Sequence, residues 1–247
     1  FEVPDARRVF TTFEQPDLKA TFTFTVTVPA GWKVFSNSAT PKPEVHEDRW
    51  TYRFEETERI STYITAIIAG PYQGVTDSLV SSDGRTIPLG VWCRASLIDS
   101  LDSDRILEIT RQGFSFFEAA YGIPYPFKTY DQIFVPEYNA GAMENAGCVT
   151  FRDQYIFRTR PTTADLEARA NTILHELAHM WFGDLVTMKW WDDLWLKESF
   201  ADFMGTLGAK EANHFEDAWV TFANNRKAWA YMQDQLPTTH PIVADIP

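Results

Sequence analysis

The run His175-Glu176-Leu177-Ala178-His179 limits this chain more than any other feature it contains. Side chains four residues apart lie one turn from each other on a helix face, so a helix here aims two imidazoles at one point. Glu176 follows the first histidine directly and sits beside that face, within reach of a water held there. Two nitrogen donors with an adjacent carboxylate base make the ligand pattern of a zinc peptidase site. Zinc that does chemistry needs a third protein ligand and an open fourth position. Glu198, on a second helical segment downstream, is the candidate. With 5 histidines in 247 residues, this spacing arises by chance only rarely. The plain alternative, two core histidines and a solvated glutamate, recedes further once the flanking sequence is read.

That sequence predicts two helices. Thr162 after Pro161, with Asp165 three residues on, fits a capping box. Leu166, Ala170, Ile173, Leu174, Leu177 and Met180 recur at helical spacing, and Gly183 is a stop. The first helix is therefore expected over about 163–182. The second, over about 193–209, runs through Leu194, Leu196, Glu198, Phe200, Ala201 and Phe203. The loop between them lets the helices lie side by side with Glu198 facing the histidines. Asp202, one turn past Glu198, shares its face and can accept the free ring N–H of a ligand histidine. It reads equally well as a surface acid. Trp190, Trp191 and Trp195 read as core.

Upstream, Ala20, Phe22, Phe24, Val26 and Val28 alternate with threonines at a period of two, the pattern of a half-buried strand. Trp50, Tyr52 and Phe54 repeat it, and Tyr63 to Ala69 reads as a more buried strand. Gly70-Pro71-Tyr72-Gln73-Gly74 divides the chain into an all-β portion, 1–73, and a mixed portion, 74–247. The second portion opens with strands near Thr86–Arg94, a helix over Ser103–Tyr121 stopped by Gly122, and strands at Asp131–Pro136 and Cys148–Phe151. A long helix is expected from about Phe215 to Gln235.

A net charge of −12 argues against nucleic acid or an anionic membrane surface as a partner. No apolar run reaches membrane-spanning length. Cys93 and Cys148 offer no disulfide framework and read as buried thiols. The chain opens on Phe1 without a signal pattern and reads as part of something longer. Two unpaired cysteines and no signal or membrane segment in this stretch favour a cytoplasmic setting.

With the histidine pair, Glu198 and Gly141-Ala142-Met143-Glu144-Asn145 all in place, the chain resembles the aminopeptidase N family of zinc metallopeptidases along essentially its whole length. Phe1-Glu2-Val3-Pro4-Asp5-Ala6-Arg7-Arg8 is similar to the end of that family's N-terminal domain. His175 to Gly183 and Trp195-Leu196-Lys197-Glu198-Ser199-Phe200-Ala201 are similar to its catalytic domain. The resemblance implies an α+β multidomain fold: the later part of a β-sandwich-like domain, then a thermolysin-like (gluzincin) domain that is C-terminally incomplete here. It implies one zinc on His175, His179 and Glu198, with Glu176 taking a proton from the activated water. It implies that Glu144, with Glu2, binds a peptide's free α-ammonium, and that Gly141, Ala142, Met143 and Asn145 shape the substrate site. Read on residues alone, Glu144 is a solvated loop acid; the resemblance reverses that.

The family's oxyanion-stabilising tyrosine would fall past Pro247, so reduced activity is expected of this stretch. Three other readings stand beside the aminopeptidase: an epoxide-hydrolysing branch, which differs at the position of Ala142; a catalytically silent scaffold, against which the intact ligands and base argue; and an endopeptidase, which the zinc motif alone allows and against which Glu144 and Glu2 tell.

Overall fold

A computed structural model describes residues 5–245. After a short helix α1 (Ala6–Val9), the first portion holds strands β1 (Thr25–Pro29), β2 (Lys33–Ser36), β3 (Glu44–Val45), β4 (Arg49–Arg53) and β5 (Ile67–Gly70). They form two small antiparallel sheets, β1-β4-β3 and β2-β5. The threonine–apolar alternation pairs regularly from Thr25, while Ala20 makes an isolated bridge to Ile60. Tyr63–Ala69 departs from expectation. Its first half turns through a 3-10 helix, Thr62–Ile64, before β5 begins. Asn37 causes this: its side chain donates to the Ile64 carbonyl at 2.8 Å and accepts from the Ala66 N–H at 2.9 Å. Those are the backbone groups a strand would have given to a neighbour, and Thr65 closes the turn onto the Thr62 carbonyl at 2.7 Å.

Sheet membership changes at Pro71. There β5 ends and β6 (Tyr72–Val80) begins a five-stranded sheet with β7 (Thr86–Arg94), β8 (Tyr130–Val135), β9 (Ala142–Met143) and β10 (Cys148–Arg152), in the order β6-β7-β8-β10-β9. The three inner strands run parallel and the two edge strands antiparallel. Strands covered on both faces read as continuous apolar runs, and β8 and β10 are buried almost throughout.

One face is covered by α2 (Ser103–Tyr121) and α3 (Thr163–His179), with α4 (Trp195–Glu211) packed on α3, through a core that includes Phe114, Phe117, Tyr130, Leu174, Leu177 and Trp181. A second cluster, with Phe35, Ala66, Tyr72, Ile133 and Cys148, joins the sheet to the first portion of the chain. Cys93 and Cys148 are both buried and unpaired. The expected helical stretch near Phe215–Gln235 is present and uninterrupted from Ala218 to Asp234: α5 (Ala218–Phe222) widens into a π turn at Ala223–Lys227 and continues as α6 (Ala228–Asp234). Arg226, within that turn, pairs with Asp202 at 3.2 Å. Among the described residues no helix is long and apolar enough to cross a membrane.

Bonds to backbone carbonyls tie the N-terminal portion to the helices. Lys19 Nζ donates to the Asp184 and Leu185 carbonyls at 2.6 and 3.1 Å. Trp191 Nε1 donates to the Glu14 carbonyl at 2.9 Å, and its ring meets Tyr63 edge-on at 5.2 Å.

Asp131, in β8, is buried with one oxygen accepting from Trp92 Nε1 at 2.8 Å. Burial pushes its carboxyl up to about 6. An unfolded aspartate ionises near pH ~3.9, so the native state holds a proton across the interval between. The stabilisation is full below the unfolded value and is lost as pH rises through about 6. Asp131→Asn keeps the acceptor and removes the charge. At pH ~7.5 it should stabilise the protein by roughly 1–3 kcal/mol, and by nothing at pH ~4. Thermal unfolding at both pH values checks this; a gain independent of pH would disprove it.

Candidate active site

Helix α3 begins as its sequence dictates. Thr162 Oγ1 accepts from the Asp165 N–H at 3.1 Å and the Asp165 carboxylate accepts from the Thr162 N–H at 2.8 Å. The helix ends at His179, three residues short of the expected 182. Past it the Asp184, Leu185 and Val186 N–H groups bond back to the His179, Met180 and Trp181 carbonyls, and Gly183 takes φ +129° to make the reversal. A 3-10 turn, Trp191–Asp193, leads into α4. Helices α3 and α4 touch backbone to backbone at Gly205. A Cβ there would lie 3.1 Å from the His175 nitrogen and 3.2 Å from the Asn171 carbonyl oxygen.

This contact fixes the donor set. His175 Nε2 and His179 Nε2 stand 3.0 Å apart, and Glu198 Oε2 lies 3.5 Å from the first and 3.7 Å from the second. His179 Nδ1 faces the Phe182 carbonyl at 3.0 Å. A carbonyl only accepts, so Nδ1 carries the proton and Nε2 presents a lone pair. Burial lowers the pKa of His179 to about 4, which keeps the ring neutral. Two imidazole nitrogens this close need a cation or a proton between them. Donors bound at about 2.0–2.1 Å around a tetrahedral ion are separated by roughly 3.3 Å, and the three observed separations bracket that value. The residues therefore fit a divalent metal.

Beside the donors, Glu176 is buried, with Oε2 unpartnered among the described residues. Burial first, then the neighbouring Glu144 and Glu198, push its carboxyl well above the usual range. Glu144 is buried too, yet its carboxyl is held low. Burial alone would raise it, but Lys197 outweighs that, with Nζ 2.5 Å from Glu144 Oε1. Glu198 follows the same logic. Its burial is outweighed by the bond to His175 and by Lys197, whose Nζ lies 2.6 Å from Oε1. A cavity of about 630 Å³ joins Glu144, His175, Glu176, His179 and Glu198. Trp190 and Trp191, expected in the core, both line this cavity, and Trp191 also packs against the core.

The remaining expected residues divide. Ala142 and Met143 form the edge strand β9, and the Gly141 carbonyl accepts from the Arg152 N–H at 3.1 Å. Gly141 and Ala142 line a hollow shared with His175, Glu176 and Glu198. Asn145 is buried and donates to Thr150 at 3.3 Å, bordering a separate hollow with Met143. Glu2 lies outside the described residues. Asp202 does not orient a histidine: its carboxylate pairs with Arg226, His179 Nδ1 is taken by Phe182, and His175 Nδ1 has no partner among the described residues. Two buried groups went unforeseen. Lys197 was hidden because a lysine beside a glutamate reads as solvated surface. Asp184, with neither carboxylate oxygen partnered among the described residues, was hidden inside what reads as a loop.

Comparison with known proteins matches residues 105–247 to the model of the peptidase family M1 domain and residues 1–64 to that of the peptidase M1 N-terminal domain. The chain is similar to Aminopeptidase N of Streptomyces lividans, 61% identical over the whole chain and 28% of that protein. Tricorn protease-interacting factor F2 of Thermoplasma acidophilum is 38% identical, again over the whole chain and 30% of its own length. Leucyl aminopeptidase of Saccharolobus solfataricus is 35% identical over the whole chain and 31% of its length. The chain thus spans under a third of these relatives.

Gly205→Val tests whether the helix contact sets the donor geometry. Forcing a branched side chain against backbone should cost about 1–3 kcal/mol and part α3 from α4. Divalent metal affinity should fall roughly 10-fold or more in protein that remains folded. Competition with a chromogenic chelator measures it; unchanged affinity would show that the contact does not set the site.

Proposed function

The chain belongs to the peptidase M1 family, and from that premise we propose that it carries the catalytic centre of a zinc aminopeptidase, which removes N-terminal residues from peptides. One observation carries the reading: His175 Nε2, His179 Nε2 and Glu198 Oε2 converge within 3.7 Å, with Glu176 and Glu144 on the walls of the same cavity. Division of the chain at residues 73 and 74 is supported by the change of sheet at Pro71.

His175, His179 and Glu198 would hold one zinc. Zinc, when bound, acidifies water and polarises the scissile carbonyl. Glu176 follows a ligand histidine, so its carboxylate is placed to take the water's proton and deliver it to the departing amine. The edge strand β9 bonds β10 on one side and leaves its other edge to an extended substrate backbone. Glu144, on the cavity wall, would meet the substrate's α-ammonium, and Glu2 is assigned as the second anchor. That carboxylate makes the site an exopeptidase site: a chain running past it would bury Glu144 with no cation from the substrate.

The base assignment gives the first test. Glu176→Gln in the full-length enzyme should retain one zinc per chain and lose about 100-fold or more in kcat, whereas His179→Ala should lose the metal. Near-normal kcat in the glutamine variant, with zinc confirmed by elemental analysis, would require another base. Blocked and free peptides give the second. Charge-assisted hydrogen bonds contribute roughly 1.5–3 kcal/mol each, and N-acetylation removes the cation that makes them. Free-amine peptides should be trimmed stepwise and their acetylated twins left nearly intact, a contrast that Glu144→Ala narrows. Equal cleavage of the two would point to an endopeptidase.

A further inference from the structure

Lys197 enters a cleft lined by four carboxylates, Glu14, Glu144, Glu176 and Glu198, and by one other strong base, Arg7. Its side chain is 6% exposed, and Nζ bonds Glu144 Oε1 at 2.5 Å and Glu198 Oε1 at 2.6 Å. The same ammonium lies 5.2 Å from the centre of the Tyr63 ring. Lysine usually carries its charge to solvent on a flexible stem. Here the stem is confined: a Cβ on Gly183 would come within 3.2 Å of Lys197 Cβ and 3.4 Å of Lys197 Cδ. The turn that ends α3 therefore holds the lysine in place.

The bonds divide the oxygens of two carboxylates. Glu198 gives Oε1 to Lys197 and turns Oε2 toward the two histidine nitrogens. Glu144 gives Oε1 to the same ammonium from the far side. One cation thus bridges the acid that would anchor the substrate amine and the acid that would bind metal.

We propose that Lys197 is a positioning residue that ties these two carboxylates together, so that metal binding and amine recognition depend on one buried ammonium. The inference rests on the zinc aminopeptidase reading above. By holding Oε1, Lys197 leaves Oε2 as the oxygen that Glu198 would offer to a metal at the histidines. By holding Glu144 Oε1, it keeps that carboxylate aimed along the cavity, where an arriving ammonium meets an oriented acceptor. An ammonium has three donors, two of which are used here at short range.

The test uses the full-length enzyme, with Lys197→Met, which removes both bonds and the charge, and Lys197→Gln, which keeps a donor without the charge. Zinc affinity is measured by chelator competition, and kcat and KM on a free-amine aminoacyl amide at saturating zinc. Lys197→Met should weaken zinc binding roughly 10- to 100-fold. With zinc restored, its KM should rise about 10-fold or more, while kcat stays within about 3-fold. Lys197→Gln should fall between parent and Lys197→Met on both measures, an ordering that a merely structural role would not produce. If Lys197→Met fails to fold, the glutamine variant decides alone, by moving both quantities or not. A change in zinc affinity without a change in KM, or the reverse, would overturn the tie, as would values within about 3-fold of the parent on both. A parent that binds no zinc, or that cuts acetylated peptides equally well, would instead overturn the aminopeptidase reading. The parent measurements separate the two failures.

Discussion

Everything at this site depends on how closely α3 and α4 approach. The nitrogen donors stand on one helix and the oxygen donor on the other, so ligand geometry is helix packing expressed at the cleft. Gly205 makes the approach possible by putting a hydrogen where any other residue would put a carbon against the His175 backbone. Glycine inside a helix costs roughly 1 kcal/mol relative to alanine, and that loss is accepted here for proximity. Beneath the contact Leu174, Leu177 and Ala178 are fully buried, so α3 cannot slide without opening the core.

The second constraint is charge. Glu144, Glu176 and Asp184 are buried, and Glu198 is half-exposed beside them. Carboxylates brought out of water and close together repel, and each carries a desolvation cost that only a cation or a proton relieves. Lys197 relieves part of it. The remaining imbalance is a negative potential that favours cations on both sides of the lysine; in the proposed reading these would be a metal at the histidines and an ammonium at Glu144. On this view a single electrostatic arrangement supplies both metal retention and preference for a free amine.

The sequence was most readable where spacing and chemistry coincide. His175 and His179 could be placed from the repeat of four on one helix, and Glu198 from the second helical segment that follows. The Thr162 cap was legible for the same reason. Glu144 was not, because a loop acid has no period; only the resemblance singled it out. Asp202 misled because sharing a helix face does not decide what a carboxylate reaches, and Arg226, within a π turn with no clear sequence signal, reached it first. Tyr63 misled because β-propensity says nothing of Asn37, distant in sequence, whose amide took the backbone groups a strand needed. Lys197 lay hidden in plain sight: burial of a lysine follows from tertiary surroundings, which single-residue tendencies do not encode.

The joint between the N-terminal portion and the metal helices has a consequence of its own. Lys19 and Trp191 bond to peptide carbonyls of Asp184, Leu185 and Glu14, and a peptide carbonyl is the same whichever side chain its residue bears. The seam is therefore written in main chain on the accepting side and in side chain only on the donating side. Substitutions at the three acceptors leave the seam's hydrogen bonds available, while the two donors have no such latitude. Of the three acceptors only Glu14 also lines the cavity, so a change of side chain there alters the lining while the bond from Trp191 keeps the N-terminal portion in register with the turn before α4.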